Sequence, residues 1–242
     1  MTSNGQGPPS WPRQQAGTPR RKECLAFRDK LKRIDSLIFD LDGTLWDTTE
    51  ACVRAWNRVR EDLALPFPPV TIPAMQAVTG QSHESAVRGI FPHADDTQVG
   101  QIQRLTDLEE NRIIAKEGGF LYDGVRETLP ALAAHKPLLI VSNCTSGYIE
   151  GFLDWSGLGE HFVDVECWGN TKQSKGENVR RLVGRNGLCR PIIVGDTDGD
   201  WQAARANDLR FVFASYGFGQ VAAPDATISR FAELPGVLET FV

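Results

Sequence analysis

The chain has 242 residues, 41% of them hydrophobic, and a formal net charge of -5. That is length and apolar content enough for one large domain, or for a core carrying a smaller one. The acidic balance and the lack of a bilayer-length apolar run speak against nucleic acid or a membrane as partner, and five scattered cysteines with no C-x-x-C pair speak against a zinc site and suit free thiols in the cytoplasm.

Residues 1–22 are rich in Gly, Pro, Ser, Gln and Arg. They hold too little apolar surface to fold and are expected to form a disordered tail. They also lack the charged-then-apolar order of a signal peptide. The short apolar run 37–39 reads as a first strand, buried on both faces. From 48 to 120 no strand is evident and helices are expected: from Thr49 through Val59 and Leu63, then 72–78, 84–90 and 97–115. Pro66-Phe67-Pro68-Pro69 ends the first of them, because proline lacks a donor and restricts its predecessor. Gly118-Gly119 closes the stretch.

From 121 onward strands and helices alternate. Apolar runs at 138–141, 162–165, 192–194 and 211–213 read as strands, with a short edge strand at 226–228. Helical patterns lie at 125–134, 148–155, 178–183 and 201–206. Such alternation predicts right-handed βαβ units and an α/β fold with a doubly wound, Rossmann-like parallel sheet. The expected organisation is a core made of 23–47 and 121–242, with a helical cap, 48–120, inserted after the first strand.

The chemistry concentrates at the ends of strands. Phe39-Asp40-Leu41-Asp42-Gly43-Thr44-Leu45 follows the first apolar run. Acids spaced by two at a strand's C-terminal end overhang the crevice where α/β sheets bind ligands, and Gly43 lets the chain turn away. Gly195-Asp196-Thr197-Asp198-Gly199-Asp200 follows the run at 192–194 in the same manner. Carboxylates gathered from two strands repel one another and call for a cation; all-oxygen ligation points to a hard ion such as Mg2+. Ser142-Asn143 ends another strand and offers a hydroxyl and an amide for phosphate oxygens. Lys175 precedes a helix, where its ammonium balances the acids and holds a phosphoryl oxygen. Lys172 is the competing choice.

Asp40, Asp42, Ser142, Lys175, Asp196 and Asp200 stand in the order of the four motifs of the haloacid dehalogenase-like hydrolase superfamily, which the chain resembles from residue 35 to its end. Within it the layout is similar to phosphoglycolate phosphatase-like members with a type 1 helical cap, and Tyr216-Gly217-Phe218-Gly219 resembles a segment seen there. Lys175-Gly176 departs from the usual Lys-Pro. The resemblance implies a phosphatase in which Asp40 attacks phosphorus and becomes a phosphoaspartate. Asp42 would act as acid and then base. Magnesium would be held by Asp40, the backbone carbonyl of Asp42, and Asp196, with Asp200 behind Asp196 or orienting Lys175.

The expected partner is a small phosphorylated metabolite. His83, Arg54 and Arg88 in the cap are candidates for its non-reacting end, and Trp46 and Trp56 are read as packing residues. A phosphosugar mutase using the same aspartyl nucleophile is the alternative enzyme, and a binding protein on this fold is the non-catalytic one.

Overall fold

The computed structural model of the chain describes residues 34–241. The expected tail over 1–22 lies outside them, as does the expected start of the core at 23. Strand β1 (Ser36–Phe39) comes first, followed by the two-residue strand β2 (Trp46–Asp47). Four helices follow: α1 (Thr49–Asp62), α2 (Ile72–Val78), α3 (His83–Ile90) and α4 (Asp96–Glu117). Strand β3 (Phe120–Leu121) then pairs antiparallel with β2. The rest of the chain is α5 (Val125–Ala133), β4 (Leu138–Ser142), α6 (Tyr148–Ser156), β5 (Phe162–Cys167), α7 (Trp168–Thr171), α8 (Lys175–Asn186), β6 (Pro191–Gly195), α9 (Asp198–Arg205), β7 (Arg210–Ala214), β8 (Ala226–Ile228) and α10 (Leu234–Leu238).

Six strands make one parallel sheet in the order β5-β4-β1-β6-β7-β8. β1 lies in the middle: Phe39 pairs with Ile140 of β4 on one side and with Val194 of β6 on the other. The chain winds outward from β1 in both directions, so the crevice at its C-terminal end is the topological switch point. Side chains alternate between the faces, as the period of two requires. Leu37 and Phe39 join Ile140 and Val194 in a core covered by α5, α6 and α10, through Leu129, Phe152 and Leu234. Ile38 joins Leu139, Val141 and Ile193 on the other face, covered by α8 and α9 through Val179, Leu182 and Ala203. Both faces are buried, which is why these strands read as continuous apolar runs.

Helices α1–α4 bury a core of their own, including Ala55, Trp56, Val87, Phe91, Val99 and Ile102. Helix α4 also sends Ile114 into the sheet-side core, so the insert is packed against the sheet domain.

The structure departs from the sequence expectations in three ways. The interval 48–120 is not free of strand, since Phe120 belongs to β3; two-residue strands are too short for any periodicity to reveal. Helix α1 stops at Asp62, ahead of Pro66, where Ala64 takes the left-handed conformation at φ 47°. Helices α8 and α9 begin at Lys175 and Asp198, earlier than the apolar pattern suggested, because Ser174 and Thr197 cap them.

Candidate active site

The C-terminal ends of β1, β4 and β6 bring together residues far apart in sequence. Asp40 follows β1 directly, and its backbone N–H donates to the Val194 carbonyl of β6 at 2.8 Å. Lys175, the first residue of α8, donates through Nζ to Asp40 Oδ1 and Asp200 Oδ1, each at 2.5 Å. All three side chains are buried. Lys172 is exposed and lies over the Trp168 ring at 4.0 Å, so the contact with the acids is made by Lys175. Asp200 serves two purposes. Its Oδ2 accepts from the Thr197 N–H at 3.0 Å and the Thr197 hydroxyl at 2.7 Å, closing a capping box at the start of α9 and fixing the oxygen that meets Lys175.

Asp196 is fully buried. Its Oδ2 accepts from the Phe218 N–H at 2.8 Å, and the Thr44 hydroxyl lies 3.4 Å from its Oδ1. Gly43 has φ +84°, and a Cβ there would collide with the Asp196 carboxylate. A side chain at Gly43 would therefore be strained and would also displace the acid. The segment around Phe218 was read from the sequence only as a family resemblance; here its backbone orients Asp196, while Tyr216 OH donates to the Thr44 carbonyl at 2.8 Å.

Asp40, Asp196 and Asp200 each present an oxygen, all within 4.8 Å of one another. Burial, then Asp200, pushes the Asp40 carboxyl well above its ordinary range against the pull of Lys175. Burial and Asp200 push Asp196 up to about 7. Lys175 is held charged: burial alone would lower its pKa, but Asp200 and Asp40 outweigh it and raise it. Three buried acids facing one ammonium leave uncompensated negative charge, and all the donors are hard oxygens. That set fits a magnesium-like divalent cation.

The Asp42 carboxylate is not among these three. Its Oδ1 accepts instead from Tyr148 OH, on α6, at 2.8 Å and from Thr48 Oγ1, just before α1, at 3.2 Å. Only the backbone of Asp42 is thus left to serve as the expected ligand. Burial lifts its pKa to about 6, partly offset by the bond from Tyr148. Ser142 Oγ accepts from the Cys144 N–H at 3.1 Å, which leaves its own proton to donate. Asn143 Nδ2 spans to the Gly80 carbonyl of the insert at 2.7 Å.

A cavity of about 100 Å³ opens over Asp40, Asp42, Ser142 and Asn143, and the insert walls it with Trp56, His83 and Glu110, among others. His83 is buried there. Arg54 and Arg88, expected to reach the substrate, do not line it. Both are exposed, and ion pairs draw them outward, Arg54 to Glu117 and Arg88 to Glu84 and Asp96. Trp46 packs in the core against Phe152 at 5.0 Å between ring centroids, whereas Trp56 both packs and lines the cavity. Sequence reading missed Tyr148, Thr48 and Glu110. No motif marks them, since Tyr148 and Glu110 sit within ordinary helical patterns and Thr48 directly precedes one. Among the described residues, Cys52, Cys144 and Cys167 are free thiols, and no helix is long and apolar enough to cross a membrane.

A family model described as haloacid dehalogenase-like hydrolase matches residues 37–214. A phosphoglycolate phosphatase of Photobacterium profundum is 27% identical, over 85% of this chain and 96% of its own length. That of Agrobacterium fabrum is 29% identical, over 85% and 93%. Among solved structures, CbbY from Rhodobacter sphaeroides in complex with phosphate superposes with a TM-score of 0.71 at 20% identity, covering 83% of this chain and 96% of that one.

Proposed function

Since the chain belongs to the haloacid dehalogenase-like hydrolase family, we propose that it is a magnesium-dependent phosphatase of small phosphate esters in which Asp40 is the nucleophile. One observation carries this reading. Asp40, Asp196, Asp200 and Lys175 are locked together at the sheet's switch point, while Asp42, two residues on, is held apart by Tyr148 and Thr48. Two aspartates of one strand end thereby meet two environments, as a nucleophile and an acid–base group require.

Asp40 attacks phosphorus, and the bond from phosphorus to the leaving oxygen breaks. Asp42, poised at about 6, gives its proton to that oxygen. Water then attacks the phosphoaspartate, Asp42 takes the proton back, and inorganic phosphate leaves with Asp40 restored. Lys175 and the Ser142 hydroxyl hold phosphoryl oxygens, and Asp200 positions Lys175. Asp40, Asp196 and the Asp42 carbonyl would hold magnesium, which would supply positive charge to offset the repulsion between an anionic nucleophile and an anionic phosphate. Helices α1–α4 act as the cap, and Asn143 ties it to the sheet domain through Gly80.

The test is phosphate release from a panel of small esters, with and without magnesium, by the wild type and by Asp40→Asn. Release that needs both magnesium and Asp40 is the expected result. Undiminished release after complete demetallation, or by Asp40→Asn, would refute the reading. Interconversion of a phosphosugar with no phosphate released would favour a mutase.

A further inference from the structure

Among the described residues, no Lys or Arg side chain lines the cavity above Asp40 and Asp42. Its one basic group, His83, is already committed. Nε2 lies 2.9 Å from Thr106 Oγ1 and Nδ1 lies 2.7 Å from Asp107 Oδ1. The Thr106 hydroxyl gives its own proton to the Ile102 carbonyl at 2.8 Å, so it accepts from Nε2. Both ring nitrogens therefore face these partners, and the Asp107 carboxylate matches the imidazole's charge when it is protonated.

The far wall carries an acid instead. Glu110, on α4, is 8% exposed. Trp56 Nε1 donates to its Oε1, and no described residue donates to Oε2. Two further groups on the lining lack partners. The Oγ1 atoms of Thr49 and Thr145 are buried and make no hydrogen bond, and each residue is 5% exposed. Buried polar atoms without partners are uncommon in folded proteins and point to a missing ligand or solvent. A buried carboxylate and two hydroxyls on one cavity lining make a set of acceptors with rotatable donors. It welcomes hydroxyl or ammonium groups, and the one cationic group on the lining, His83, is already matched by Asp107, which leaves no unpaired cation to balance a second anion.

Resting on the phosphatase reading, we infer that Glu110 recognises the substrate's non-reacting end, and that this end carries hydroxyl or ammonium donors and no second negative charge. An ester bearing a carboxylate would have to bury that charge against Glu110 without an unpaired cation, a cost that is not recovered. The relatives named as phosphoglycolate phosphatases act on an ester of that excluded kind. On this reading the chain's preference is set by its cap and not by its core motifs. Burial favours the protonated form of Glu110, while His83 and the Trp56 N–H act in the opposite direction. Even neutral, the acid would supply no charge to balance a substrate carboxylate.

The experiment compares kcat/KM for glycerol 1-phosphate, phosphoethanolamine, 2-phosphoglycolate and p-nitrophenyl phosphate, with magnesium, for the wild type and Glu110→Gln. Gln keeps the shape and an acceptor for Trp56 but loses the charge. The wild type is expected to favour the better of the two donor-bearing esters over 2-phosphoglycolate by at least about tenfold, the scale set by leaving a buried polar group unpaired. Glu110→Gln is expected to shrink that ratio about tenfold, mainly through KM. A wild type that hydrolyses 2-phosphoglycolate as well or better overturns the inference, as does an unchanged ratio in a folded Glu110→Gln protein. Should the variant not fold, the wild-type ratio decides. Hydrolysis of p-nitrophenyl phosphate alone overturns the inference and leaves the phosphatase reading standing; release from none of the four removes both.

Discussion

Gly43 joins backbone strain to site geometry more tightly than any other residue of the catalytic loop. At φ +84°, with the Asp196 carboxylate where a Cβ would go, Gly43→Ala should lose about 2 kcal/mol or more, from left-handed strain plus the clash. It should also lose most activity, because the acid must move. Urea unfolding together with phosphate release measures both, and an active, equally stable variant would contradict this assignment. His83 supports a different prediction. Burial lowers its pKa, but Asp107 and Glu110 outweigh burial and raise it above the ordinary value. A group with a raised folded-state pKa contributes stability that is complete below its unfolded pKa, about 6.5, and is lost as pH rises through the folded value. The stability gap between wild type and His83→Gln should therefore be widest near pH 5.5 and narrow toward pH 9. A gap constant with pH, followed by urea midpoint, would mean that the imidazolium charge contributes nothing.

Helix starts decide where the active-site groups stand. The Ser174 hydroxyl accepts from the Glu177 N–H at 3.3 Å, and Lys175 follows immediately. Asp95 caps α4 in a capping box far from the cavity. Each cap replaced by Ala should cost about 1 kcal/mol. Only Ser174→Ala should also lower turnover, several-fold, because the adjacent Lys175 is loosened; Asp95→Ala should turn over normally. Equal turnover in the two variants would uncouple the α8 cap from the site. These caps also explain what the sequence did and did not disclose about elements. The buried strands were legible because both faces of the sheet are covered and their apolar runs are unbroken. Helices α8 and α9 were read as starting three residues late, at 178 and 201, because apolar periodicity begins only after a polar first turn that the caps hold. Strands β2 and β3 were missed because two residues carry no pattern.

Across the whole molecule, the central place of β1 assembles the site. Asp40 and Lys175 are 135 positions apart yet meet at 2.5 Å, because β1 lies between β4 and β6. The core motifs were legible since each follows its own apolar strand in order. Tyr148, Thr48 and Glu110 were not, because their roles arise only when α1, α4 and α6 pack over the sheet. Arg54 and Arg88 stand in surface ion pairs off the cavity lining, and sequence cannot tell a cation turned into a cavity from one paired on the surface. The same assembly predicts a response to metal. Mutual repulsion and burial of Asp40, Asp196 and Asp200 should make magnesium stabilising, by about 2.7 kcal/mol at a hundredfold excess over Kd. For a chain this size that is a rise in Tm of roughly 5–10 °C. Asp196→Asn should abolish most of the rise, and an equal rise in wild type and variant would place the ion elsewhere.

The central claim is that Asp40 takes the phosphoryl group. The most direct measurement is to quench turning-over enzyme in acid, reduce it with borohydride and sequence its peptides by mass spectrometry. Reduction converts an aspartyl phosphate into homoserine. Homoserine at position 40, dependent on substrate and magnesium, is the predicted result. Homoserine at another aspartate, or none at position 40 when quenched enzyme is shown to hold bound phosphoryl groups, would contradict it.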